Sequence, residues 1–118
     1  MTTYVKSFQK PDETRQFGNG HLEVLQFDDR STIGRGVFAP GWKWSNDVKP
    51  VAKTELCEAP HFLYQLSGRM KVVMKDGREF ESGPGDVALI PPGHDAWVVG
   101  NEAVEVIDWG GAANYAKG

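Results

Sequence analysis

Residues 81–99, Glu-Ser-Gly-Pro-Gly-Asp-Val-Ala-Leu-Ile-Pro-Pro-Gly-His-Asp-Ala-Trp-Val-Val, constrain the fold more than any other part of the chain. Two turn-forming clusters, residues 83–85 and 91–93, bracket an apolar-rich segment of five residues, 86–90, and a second such segment opens at Ala96. Segments this short do not sustain a helix, so strand, tight corner and strand is the arrangement they support. Pro91 and Pro92 cannot donate to a ladder, and Gly93 has the backbone freedom to reverse the chain. The corner therefore sets His94 and Asp95 at the mouth of whatever the strands enclose.

The rest of the chain repeats this short-strand grammar. Residues 21–27 alternate, with Leu22 and Val24 on one side and Leu25 and Phe27 on the other, and residues 32–39 continue as a strand loosened by Gly34 and Gly36. His61 to Leu66 and Arg69 to Met74 read as two strands joined at Ser67-Gly68, and Asp76-Gly77 between apolar runs is a strong hairpin signal. Residues 103–109 form a last strand in which Val104, Val106 and Asp108 share a face. Residues 42–60 carry two tryptophans and only weak alternation. They are expected to hold a strand over 42–45, a loop or bulge over 49–54 and a resumed strand near Leu56. Residues 1–20 read as an N-terminal arm and loop, with a strand-like piece at 4–8, and residues 110–118 as a loose tail. About nine strands, with turns every 8–12 residues or so and no segment of helical period, make an all-β sandwich or barrel with its core over residues 21–109.

A chain of 118 residues is one domain, able to bury roughly two thirds of its unfolded surface. A net charge of -3 leaves no basic stripe for nucleic acid. The single cysteine, Cys57, permits no intrachain disulfide. With no apolar signal core at the N-terminus and no run long enough to span a bilayer, a reducing, cytoplasmic setting without membrane attachment is expected.

Residues 85–96 resemble the second sequence motif of the cupin superfamily, in which a glycine is followed after five residues by Pro-x-Gly and then by a histidine. Gly85, Pro91 and Gly93 fit as they stand, while Ala96 occupies the histidine position and His94 comes two residues early. In the first cupin motif a glycine precedes His-x-His, a glutamate and a second glycine. Gly41 and Gly68 match the glycines, and His61 stands at the glutamate position. The separation of Gly41 from Gly68 implies an insertion of about eight residues. Depending on where it falls, Asp47 and Lys49 or Glu55 and Cys57 take the place of the paired histidines. The resemblance implies a double-stranded β-helix, or jelly-roll barrel, closing on a central cavity, and a homodimer.

Two functional readings follow. In one, His61, Cys57 and His94, with Glu55 or alternatively Asp47, hold a divalent transition metal. Sulfur with nitrogen suits zinc, and mixed donors admit iron or nickel. The metal would then serve a dioxygenase, isomerase or lyase acting on a small polar metabolite. In the other, the cavity binds or senses a small molecule without metal, and Cys57 is a small buried hydrophobe. His61 is the candidate catalytic base in a metal-free enzyme. Gln65, Trp44, Trp97 and Asp95 are the candidate ligand-binding residues. His21 lacks a partner in sequence and is expected at the surface.

Overall fold

The structure, a computed structural model, describes residues 5–28, 31–111 and 115–116. Nine strands follow one another: β1 (Glu13–Phe17), β2 (Gly20–Gln26), β3 (Thr32–Phe38), β4 (His61–Ser67), β5 (Met70–Met74), β6 (Glu79–Ser82), β7 (Val87–Ile90), β8 (His94–Val98) and β9 (Val104–Asp108). They form a six-stranded sheet in the order β1-β2-β3-β9-β4-β7 and a three-stranded sheet in the order β6-β5-β8, with every pairing antiparallel. This is the all-β jelly roll anticipated from the short-strand pattern.

Alternation decides what faces the core. On β4 the inward set is His61, Leu63 and Gln65, and on β9 it is Val104, Val106 and Asp108. Leu22, Phe38, Val72 and Val98 close over them from β2, β3, β5 and β8. Burying such side chains supplies most of what holds two sheets together, at roughly 1.5–3 kcal/mol each.

The hairpins depend on glycine in two different ways. Gly68, between β4 and β5, has φ +74°, and a Cβ built there would lie 2.7 Å from the Ala103 carbonyl oxygen and 2.9 Å from the Val104 Cα. Gly77, in the β5–β6 turn, has φ +91° but nothing within 4 Å of that position. Both residues need the left-handed region, and only Gly68 also needs the space.

Four segments differ from the sequence reading. β1 falls within the expected arm and loop, because Arg15 turns inward and its Nη1 donates to the Tyr115 carbonyl oxygen at 2.7 Å. Of the strand-like piece at 4–8, residue 4 lies outside the described residues and residues 5–8 form no strand. Residues 42–60 contain two single-turn helices, α1 (Trp44–Asp47) and α2 (Lys49–Ala52), where a strand and a loop were expected. Asp47 folds back to accept the Lys43 N–H at 2.9 Å, Pro50 stands in the first turn of α2, and Lys53 closes it at φ +62°. Single turns carry no periodicity to read. Finally, Tyr115 and Ala116 in the expected loose tail are buried. Residues 112–114, 117 and 118 lie outside the described residues.

Unfolding in urea should separate the two glycines. Gly77→Ala is expected to cost about 1 kcal/mol for its backbone conformation alone. Gly68→Ala should cost about 2–3 kcal/mol, because strain and backbone clash add. Equal losses would mean that the contact at Gly68 relaxes freely.

Candidate metal centre

Two strand starts and a segment clamped beside them bring the chemistry together at one end of the barrel. His61 opens β4 and pairs with Ile90 of β7, and His94 opens β8 and pairs with Met74 of β5. Cys57 belongs to no named strand but is clamped to the corner at residues 91–93. Its N–H donates to the His94 carbonyl at 2.8 Å, and its own carbonyl accepts from Gly93 N at 2.7 Å. The Pro-Pro-Gly corner thus fixes two of the three side chains at once.

One ligand atom each from Cys57, His61 and His94 lies within 4.8 Å of the others, and all three residues are buried. The His61 Nε2 to Cys57 Sγ distance is 3.7 Å, and the two imidazole centroids are 5.2 Å apart. The far nitrogens are committed elsewhere. His61 Nδ1 donates to Asp108 Oδ2 at 2.5 Å, and His94 Nδ1 donates to the Pro91 carbonyl at 2.9 Å. Each ring is therefore held in the tautomer that leaves Nε2 as the inward-facing donor atom, the arrangement by which proteins orient imidazole ligands.

Asp108 does more than orient His61. Its Oδ1 accepts from Phe62 N at 3.2 Å and from Gly110 N at 2.8 Å. Burial alone would push this carboxyl up, but the hydrogen bond and charge of His61, with the two backbone donors, hold it below the usual aspartate range. Burial likewise disfavours the His61 cation, yet Asp108 and Cys57 outweigh it and raise the imidazole to about 9. The Cys57 thiol is pushed up by burial and drawn down further by His61 and His94, reaching about 7. Among themselves these groups favour a thiolate beside an imidazolium. Tyr115 closes the site from the C-terminal side, with its ring centroid 5.3 Å from that of His61, and burial raises its hydroxyl well above the ordinary value.

A cavity of about 50 Å³ adjoins the cluster, walled by Leu22, Leu63, Val72, Ile90, Trp42 and Trp44 as well as by His61, His94 and Asp108. A wider opening of about 260 Å³ reaches Cys57 from the side of Thr54, Glu58, Pro60 and Gly110, with Trp44 and Tyr115 in the walls of both.

The other residues singled out in the sequence stand elsewhere. Glu55 is exposed and pairs with Lys49 at 3.1 Å. Asp47 is occupied by the Lys43 N–H and by the Asn19 side chain. Gln65 does face inward, but its amide donates to the carbonyls of Ser67, Gly68 and Ser82 and accepts from Ser82 Oγ, so it ties the β4–β5 turn to β6. Asp95 points the other way along β8 and accepts the Ser45 and Ala96 N–H groups. Trp97, on that same outer face, carries Lys43 Nζ over its ring at 5.2 Å. Only Trp44 of the proposed ligand-binding set lines the cavity. His21 is half-buried on β2, 3.5 Å from Glu23. Asp108 and Tyr115 went unassigned to the site. An acidic residue in phase with Val104 and Val106 is the signal that points to Asp108, whereas Tyr115 sits in a Gly/Ala-rich stretch without one.

No protein-family model matches the chain, and no curated protein matches it by sequence. Solved structures do. The oxalate decarboxylase of Lactobacillus farciminis, in its formate complex, superposes with a TM-score of 0.61 at 20% identity, covering 87% of this chain and 32% of that one. The polyketide cyclase RemF of Streptomyces resistomycificus gives 0.59 at 22% identity, covering 92% and 79%, and the cupin domain of Schizosaccharomyces pombe Cnp3 gives 0.59 at 16%, covering 81% and 65%. The chain thus spans about a third of the decarboxylase and most of the cyclase. The fold is that of a small cupin.

Removing the Asp108 carboxylate should test how far the site depends on it. Asp108→Ala leaves His61 Nδ1 and the Phe62 and Gly110 N–H groups without their acceptor, and is expected to cost about 3–5 kcal/mol in chemical denaturation. A loss below about 1 kcal/mol would show that these donors find other partners.

Proposed function

We propose that this small cupin is an enzyme that binds a divalent transition metal through Cys57, His61 and His94 and acts on a small polar metabolite in the adjoining cavity. The observation that carries the reading is the convergence of three donor atoms within 4.8 Å, with the outer nitrogen of each imidazole already tied to an acceptor. Two nitrogens and a thiolate suit zinc, and the same set admits iron or nickel. Neither Glu55 nor Asp47 takes part in this reading, since one is exposed and the other is engaged by the backbone.

A bound metal would supply Lewis-acid chemistry at the mouth of the cavity, of the kind used by lyases, isomerases and dioxygenases. The protein contributes the rest. Asp108 holds His61 in place and the Pro91 carbonyl holds His94, while the apolar wall keeps water scarce around the reacting group. That two structural relatives are an oxalate decarboxylase and a polyketide cyclase supports an enzymatic reading. A reducing, cytoplasmic setting belongs to it, because Cys57 must remain a thiol to serve.

A second reading rests on the 3.7 Å approach of Cys57 Sγ to His61 Nε2, backed by Asp108. Without metal, these three form a thiol, imidazole and carboxylate series in which His61 is the base that takes the Cys57 proton. Elemental analysis of protein purified without added metal separates the two. Stoichiometric zinc, iron or nickel, lost in His61→Ala, His94→Ala and Cys57→Ser but kept in Glu55→Gln and Asp47→Asn, is the expected result. Asp108→Asn should weaken metal binding about 10- to 100-fold. Metal absent from the parent protein would leave only the metal-free series.

Association of two copies belongs to the same proposal. Val87 and Leu89 on the edge strand β7 are 62% and 77% exposed, and Phe62, Tyr64 and Leu66 lie beside them on the outer face of β4. An open edge flanked by apolar side chains suits pairing with an identical edge across a two-fold axis. Light scattering should give a dimer for the parent protein and a monomer for Leu89→Lys. A monomeric parent protein would remove this interface.

A further inference from the structure

We propose that the cavity beside the metal centre takes a small carboxylate, whose oxygens accept the indole N–H groups of Trp42 and Trp44. Among the described residues, those two indole nitrogens are the buried side-chain polar atoms with no hydrogen-bond partner. The side chains are 2% and 1% exposed, and both line the cavity that His61 and His94 also line. Buried donors are nearly always satisfied in folded proteins, so two unsatisfied donors on residues that line one cavity point to an absent acceptor.

The chemistry of that acceptor is narrow. Indole N–H groups donate and never accept. Around them the wall is mainly apolar, with Leu22, Leu63, Val72, Ile90 and Val106, and Asp108, the one carboxylate among the described lining residues, is engaged by His61 and backbone donors. With both imidazole Nε2 atoms given to the metal, a water molecule would satisfy the indoles but would find, among the lining residues, only the Tyr115 hydroxyl oxygen to receive its two O–H donors. A carboxylate brings acceptors only, and its two oxygens can serve both indoles. The volume of about 50 Å³ has room for roughly four water-sized units. That limits the occupant to a short-chain acid, its tail against the aliphatic wall. Among the described residues no lysine or arginine lines the cavity, so the inference rests on the metal reading for the charge that holds the anion.

The two donors are also held in place. Trp44 opens α1, where Asp95 accepts the Ser45 N–H at 3.1 Å and Asp47 accepts the Lys43 N–H at 2.9 Å. Trp42 N donates to the Ala39 carbonyl, and the Trp42 carbonyl accepts from Val98 N at 3.0 Å. The Asp95 carboxylate therefore serves the ligand indirectly, by positioning Trp44.

The test uses zinc-loaded full-length protein with nitrogen-labelled indoles, followed by NMR while acetate or propionate is added. The chain has four tryptophans, so Trp97 and Trp109, outside the cavity, act as internal references. Saturable shifts of the Trp42 and Trp44 resonances are expected, with propionamide at least tenfold weaker and chloride without effect. Trp44→Phe, which keeps a ring in the wall, should weaken propionate about tenfold at unchanged metal content. Saturable binding that leaves both resonances in place, or no binding by fully metallated protein, would overturn the inference. If elemental analysis finds no metal, the metal reading fails by that measurement alone. Movement of those two resonances in the metal-free protein would then uphold the carboxylate, and their stillness would end it.

Discussion

One carboxylate holds this barrel end together. Asp108 stands at the end of β9, opposite Leu63 of β4, and divides its oxygens between a side chain and the backbone. Oδ2 accepts from His61 Nδ1, and Oδ1 accepts from the N–H groups of Phe62 and Gly110. The same group therefore closes the β4–β9 ladder, sets the direction in which the chain leaves the barrel, and chooses the tautomer of an imidazole. A buried carboxylate needs partners on its oxygens, and here Oδ2 has His61 while Oδ1 has backbone donors. The outgoing chain fits tightly, since a Cβ at Gly110 would lie 2.6 Å from Phe62 N and one at Gly111 would lie 2.4 Å from the Pro60 carbonyl oxygen. That close passage lets residues beyond it return over His61, where Tyr115 caps the site and Arg15 fastens the Tyr115 carbonyl.

The frame was readable because its signals are local. Proline and glycine at 91–93, Asp-Gly at 76–77 and the two-residue alternation of β4, β5 and β9 each declare themselves within a few residues. What escaped was whatever depends on a distant partner. β1 looks polar because Arg15 is charged, and its inward turn makes sense only once a carbonyl one hundred positions later is in place. Gln65 faces inward on β4, but its amide is consumed by the turn that follows it and by Ser82 rather than left for a ligand. The short helices α1 and α2 span four residues each, about one turn, so no hydrophobic period could announce them.

The meeting of Cys57, His61 and His94 was legible as a hypothesis because the corner at 91–93 and the inward phase of β4 both point to the same end of the barrel. The carboxylate behind His61 was not, although Asp108 sits in phase with two buried valines. Spacing indicates which face a residue occupies. It does not indicate which imidazole it will find across a ladder. The structural relatives stop at the same boundary, for at 16–22% identity they share an architecture and leave its contents open.

The placement of Trp42 and Trp44 has a consequence for how such a barrel can diversify. Both ride on the excursion between Gly41 and His61, outside the nine-stranded frame, and they are anchored to it by burial in the core together with main-chain hydrogen bonds and the Asp95 carboxylate. The polar fittings of the chamber are thus mounted on an exchangeable panel. A redesigned panel of similar length could give the same vessel a different appetite while every ladder of the frame stayed in register.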